Sequence, residues 1–206
     1  MTDYFAKKAA TWDAQPMREG MVRAFLAELE RLAPLGPDTD ALEFGAGTGL
    51  VGLRLAPRLR SLALLDTSPA MLEKLREKLA PLHLPQASVH HLDLTAAPWT
   101  GTPPRLLYSL MALHHVPDPA AAIAAFHATL QPGGAAVVAD LLPEDGSFHG
   151  VQPAEHNGFD PDVVLAWFRE AGFVDATARP FHVMRKPGPD GEMRDFGLFV
   201  LAGRKK

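Results

Sequence analysis

The stretch that most restricts the fold is Asp40-Ala-Leu-Glu-Phe-Gly-Ala-Gly-Thr-Gly49, a short apolar run that passes without a spacer into alternating glycines. A buried strand that ends in glycines must turn sharply, and the next segment, Leu50 to Leu59, reads as a helix bent or ended at Pro57. Such a strand–glycine loop–helix unit opens an open α/β sheet and leaves unpaired N–H groups at the helix start, where a ligand is received.

The rest of the chain repeats the alternation. Residues 17–33 carry apolar positions at helical spacing, Met21, Phe25, Leu29 and Leu32, and stop before Pro34. Ser61–Leu65 is a continuous apolar run, which marks a strand buried on both faces of a parallel sheet. Ser68 reads as an N-cap with Pro69 at the first helical position, opening a helix to about Ala80. Strands are expected at 87–92, 105–110 and 135–141, and helices at 119–130 and 160–171. Two further runs, near 176–185 and 194–203, flank Lys186-Pro-Gly-Pro-Asp-Gly191 and read as a hairpin. The expectation is a doubly wound, Rossmann-like α/β fold whose mostly parallel sheet ends in an antiparallel C-terminal hairpin.

At 206 residues the chain has room for one such domain and hardly for two. Residues 1–206 are therefore read as a single domain, with 1–16 a possible N-terminal lid and 142–159 an insertion after the fifth strand. In the first of these, Phe5, Ala9 and Trp12 share one helical face. A net charge of −4 argues against gripping nucleic acid through a basic surface, although a local patch stays open. No apolar run reaches the ~20 residues a bilayer requires. The chain has no cysteine, so thiolate catalysis and cysteine-ligated metal are ruled out. A cytoplasmic protein with a small-molecule substrate is expected, of undefined oligomeric state.

The glycine loop admits two cofactors. Gly47-Thr-Gly-Leu-Val-Gly52 matches the dinucleotide fingerprint, and Asp66 follows at a fitting distance. Against it, Glu43 at the strand end suits a cationic ligand better than a pyrophosphate, and no Tyr-x-x-x-Lys pair lies downstream. An NAD(P)-dependent reductase and a catalytically silent nucleoside-binding protein stay as alternatives.

Five segments in order then resemble class I S-adenosylmethionine-dependent methyltransferases. Glu43-Phe-Gly-Ala-Gly-Thr-Gly49 is similar to their first motif, and Leu-Leu-Asp66-Thr-Ser-Pro-Ala-Met71 to the second-strand acid with its helix start. His-Leu-Asp93-Leu resembles the acid after the third strand, Ser109-Leu-Met-Ala-Leu-His-His115 the segment after the fourth, and Leu130-Gln-Pro-Gly-Gly134 the turn before the fifth. The nearest likeness is to the branch with quinone-biosynthesis and other small-molecule enzymes. One departure is Arg105, which stands where the family often has an acid.

The resemblance implies methyl transfer from S-adenosylmethionine by direct in-line displacement. It places Glu43, Phe44, Gly45, Ala46, Gly47, Thr48 and Gly49 around the methionine part of the cofactor, with Glu43 on its ammonium. Asp66 and Thr67 would take the ribose, and Met71, Asp93 and Leu94 the adenine. Ser109, Leu110 and Met111 would line the sulfonium side. The sulfonium already supplies a leaving group, so no metal is required.

Nine histidines raise the question of a base. His115 and His156 are the candidate catalytic residues, the former after the fourth strand and the latter in the 142–159 insertion, which also carries Phe148, His149, Asn157 and Phe159. Adjacent side chains on an extended segment point apart, so His114 and His115 are not expected to meet one metal. A site drawing on Asp140, Glu144, Asp145 and the histidines is the less favoured alternative.

Overall fold

The computed structural model describes residues 16–33, 35–150 and 154–206, so residues 1–15 of the proposed 1–16 lid lie outside the described residues. Helix α1 (Pro16–Leu32) leads into β1 (Asp40–Phe44), the short α2 (Gly52–Leu55), β2 (Ser61–Asp66), α3 (Pro69–Leu79) and β3 (Ala87–His91). Then follow β4 (Leu106–Leu110), α4 (Pro119–Thr129), β5 (Ala135–Leu141), α5 (Pro161–Glu170), β6 (Val174–Pro187) and β7 (Met193–Arg204). The seven strands form one sheet in the order β3-β2-β1-β4-β5-β7-β6. β1 to β5 pair in parallel, while β7 runs antiparallel between β5 and β6. This is the expected doubly wound sheet, with its hairpin folded in so that β7, not β6, joins β5.

The core divides along the pleat. Alternate side chains of β1, Leu42 and Phe44 on one side and Ala41 on the other, fall into two separate clusters. Phe25 and Leu29 of α1, Leu55 of α2 and Leu72 and Leu75 of α3 cover one face. Ile123 and Phe126 of α4 and Val164 and Phe168 of α5 cover the other. β5 is buried at all seven positions, as a central strand between two helical layers must be. Ten or more fully buried large side chains, each contributing roughly 1.5–3 kcal/mol, supply the main driving force for folding.

Local signals explain the helix starts. Ser68 accepts a hydrogen bond from the Met71 N–H at 3.4 Å ahead of Pro69, and Asp118 and Asp160 cap α4 and α5 ahead of Pro119 and Pro161. One expectation needs correction. The helix read over Leu50–Leu59 is α only from Gly52 to Leu55, then tightens into a 3₁₀ turn at Ala56–Arg58 around Pro57. Proline has no N–H to donate, and the short connection back to β2 leaves no space for more turns.

Candidate functional site

A cavity of about 310 Å³ opens at the carboxyl ends of β1, β2 and β4. It sits where the strand order reverses, between β2 on one side of β1 and β4 on the other. The glycine loop forms its floor. Gly45, Gly47 and Gly49 have φ of 71°, 55° and 81°, a region in which a side chain is strained. Their reasons differ: a Cβ on Gly45 would stand 2.3 Å from the Ala112 Cβ, and one on Gly49 2.4 Å from Leu75 Cδ1. A Cβ on Gly47 would meet no protein atom within 4 Å. Gly47 is thus the position where the loop backbone faces open space, and Gly45 and Gly49 serve packing.

Asp66, the last residue of β2, ties this loop down. Its Oδ2 accepts the Gly47 N–H at 2.7 Å and its Oδ1 the Ser68 N–H at 2.8 Å. Burial pushes its carboxyl above the usual range, against those two N–H donors. Two carboxylate oxygens can each accept more than one bond, so acceptor capacity remains toward the cavity. Across the cavity, Asp93 accepts from both the N–H and the hydroxyl of Thr95, at 2.8 and 2.7 Å, through one oxygen only.

Glu43 is the most buried acid of the cavity lining. It is 3% exposed, lines the cavity, and accepts a 3.2 Å bond from the Tyr108 hydroxyl. Burial raises its pKa to about 8, outweighing the Tyr108 bond, and Asp66 adds like-charge repulsion. A carboxyl held near neutrality in a cavity is poised to ionise when a cation arrives.

The wall after β4 carries a strained residue, Met111 at φ 57°, whose N–H donates to Ala139 O at 2.8 Å. Beyond it, Leu113–His115 forms a 3₁₀ turn. This turn corrects the expectation that His114 and His115 point apart: their ring centroids are 4.0 Å from each other, because a tight turn does not alternate side chains as a strand does. His115 lines the cavity, and burial together with His114 and His149 lowers its pKa to about 2. It is a neutral imidazole over the whole physiological range.

Of the residues singled out in the sequence, the cavity brings together Glu43, Phe44, Gly45, Ala46, Gly47, Thr48, Asp66, Thr67, Met71, Asp93, Leu110, Met111 and His115. Gly49, Leu94, Ser109 and His156 are not among its lining residues. Leu94 is packed in the core and Ser109 is fully buried. His156 instead fastens the insertion to the 3₁₀ turn: its N–H donates to His114 O at 3.1 Å and its ring Nε2 bonds Val116 O at 3.0 Å. Phe148 and Phe159 of the same insertion are buried against Phe196 and Trp167. The lining also includes residues the sequence reading passed over: Arg18, Met21 and Val22 of α1, and Val116 and Pro117. The helix periodicity had assigned Met21 to the core, and no motif marked Arg18.

Residues 41–134 match the family model described as a methyltransferase domain. Among curated proteins, the chain is 31% identical over 177 residues to a malonyl-[acyl-carrier protein] O-methyltransferase of Halorhodospira halophila, covering 76% of this chain and 59% of that one. It is 35% identical over 122 residues to a trans-aconitate 2-methyltransferase of Methylobacterium radiotolerans, covering 58% and 44%. Among solved structures, a SAM-dependent methyltransferase from Aquifex aeolicus superposes with a TM-score of 0.70 at 15% identity over 98% of both chains. The chain spans 53–59% of the length of the first curated relatives it matches. Residues 41–134 are thus similar to methyltransferase domains, and the β3-β2-β1-β4-β5-β7-β6 sheet has the fold of solved S-adenosylmethionine-dependent methyltransferases. These matches do not favour the nicotinamide reductase or the silent nucleoside-binder. The relatives named here carry no quinone-biosynthesis name.

Proposed function

We propose that the protein transfers a methyl group from S-adenosylmethionine to a small acceptor bearing a carboxylate. The observation that supports the cofactor assignment is the one cavity lined by Glu43, Gly47, Asp66 and Asp93 together. Glu43 takes the ammonium, and Gly47 lets the methionine part approach the loop backbone. Asp66, fixed by two backbone N–H groups, accepts from the ribose hydroxyls. Asp93 takes the adenine amine, with Met71 against the ring. The cofactor supplies an electrophilic methyl on a positive sulfur; the protein aligns it and keeps water out.

The acceptor class follows from the bases available. With a pKa of about 2, His115 accepts a hydrogen bond but is a weak proton acceptor. Glu43 is committed to the ammonium. An acceptor that is already anionic at neutral pH needs neither. A carboxylate meets that condition, and Arg18 adds a positive charge to the cavity wall. The names of relatives that methylate malonyl-[acyl-carrier protein] and trans-aconitate support the same class.

The test is transfer of labelled methyl into a panel of mono-, di- and tricarboxylic acids. The product expected is a methyl ester, so mild alkali should release the label as volatile methanol. Base-stable label on a phenol or amine, with none on any acid, would overturn the acceptor class and leave the cofactor assignment intact.

A further inference from the structure

Three imidazoles gather beside the cavity. His114 and His115 come from the 3₁₀ turn after β4, and His149 from the insertion, and one ring nitrogen of each lies within 4.8 Å of the other two. The ring centroids are 4.0, 4.9 and 5.1 Å apart. His114 shows how such a group is prepared for an ion. It is 1% exposed, and its Nδ1 bonds Asp140 Oδ1 at 2.5 Å. Asp140 is itself fully buried and is fixed by the N–H groups of His114 and Leu141 at 3.2 and 2.7 Å. That carboxylate sets the tautomer, with Nδ1 as the donor, and leaves Nε2 bearing a lone pair. His114 Nε2 is buried and has no hydrogen-bond partner. A buried acceptor without a donor is destabilising, and a bound cation removes that cost.

We propose that His114, His115 and His149 form a site for a divalent transition metal of the zinc class, oriented by Asp140. Three imidazoles suit Zn²⁺, Co²⁺ or Ni²⁺, whereas Mg²⁺ and Ca²⁺ prefer oxygen. A carboxylate behind a ligating histidine is the usual supporting arrangement for such ions. Tetrahedral bonds of about 2.0–2.1 Å need nitrogens about 3.3 Å apart, so the rings must close by up to about 1.5 Å. Small χ rotations of His149, on the loop, can supply this. Two charged groups flank Phe148 beside the cluster: Lys186 donates to Phe148 O and lies 4.3 Å from its ring centroid, and Glu144 accepts the Phe148 N–H at 2.9 Å. Three neutral ligands leave one coordination position open, as in catalytic zinc sites. Because His115 also lines the cavity, the ion borders the acceptor space and can hold an anionic oxygen there. This inference does not depend on the cofactor assignment.

The experiment is titration of the chelator-stripped full chain with Co²⁺ alone, read by visible d–d absorption and by equilibrium dialysis, then displacement with Zn²⁺. One equivalent with four- or five-coordinate bands is expected, displaced by Zn²⁺. His149→Ala and His115→Ala should each weaken binding at least tenfold. His83→Asn, which removes an exposed imidazole from a left-handed position that asparagine accepts, should leave it unchanged. Circular dichroism checks that each variant is folded. Absence of stoichiometric binding, or binding that all three variants retain equally, would overturn the proposal and return the cluster to simple packing.

Discussion

Glu43 makes cofactor binding a pH-dependent event whose size follows from its surroundings. Burial sets its pKa at about 8, so below that pH the carboxyl is protonated, and it must ionise to hold an ammonium. At 1.36 kcal/mol per pH unit, ionisation costs about 3.4 kcal/mol at pH 5.5 and about 1.4 kcal/mol at pH 7.0. The amino group of the cofactor stays largely protonated across this window, so the difference falls on Glu43. Affinity for S-adenosylmethionine should therefore rise about thirtyfold from pH 5.5 to 7.0. Binding at pH 6.5 should release close to one proton. Calorimetry in buffers of unlike ionisation enthalpy measures both. Glu43→Gln keeps the shape and the acceptor oxygen but removes the titration, so its affinity should be flat over the same range. A flat wild-type profile, or an equal slope in the variant, would refute the reasoning.

Other outcomes follow from the same geometry. Without ligand, the raised pKa of Glu43 means the native state holds a proton that the unfolded chain has lost above pH 4.5. Stability should consequently fall as pH rises toward about 8, and the fall should shrink in Glu43→Gln, as urea titrations at several pH values would show. Asp66→Ala should weaken cofactor binding by about 2–4 kcal/mol, and part of that loss should come from freeing the Gly47 N–H, visible as faster amide exchange in the loop. Gly47→Val adds backbone strain at φ 55° without a clash, so it should lower stability only modestly yet abolish cofactor binding, whereas Gly45→Val, strained and also driven against Ala112, should unfold readily. Thermal melts with and without ligand separate those two. His156→Ala should cost about 1–2 kcal/mol of stability by releasing the carbonyl of Val116, with cofactor affinity within about twofold of wild type.

Much of the architecture was written in short-range signals. Ser68-Pro69, Asp118-Pro119 and Asp160-Pro161 each state a helix start in two residues, and the structure places α3, α4 and α5 there. The glycine loop and the acids at strand ends were legible for a similar reason: their chemistry depends on where a strand stops, which apolar runs reveal. Other parts depend on contacts between distant segments. Arg18 and Met21 reach the cavity only because α1 packs against β5 and β6, and a helical pattern says which face is buried but not what lies beneath it. His156 looked like a chemical group because its loop is rich in polar residues, yet its two bonds serve to hold that loop. The histidine cluster was missed because the pairing of His114 with His115 was judged by strand alternation, and the chain there is a 3₁₀ turn.

The central claim is that the cavity between Glu43 and Asp93 takes S-adenosylmethionine. Isothermal titration of the full chain with S-adenosylmethionine, its demethylated product and the two nicotinamide dinucleotides tests it most directly. The account predicts one-site binding of the first two, lost in Gly47→Val, with no heat from either dinucleotide. Saturable binding of a dinucleotide with none of S-adenosylmethionine would contradict it.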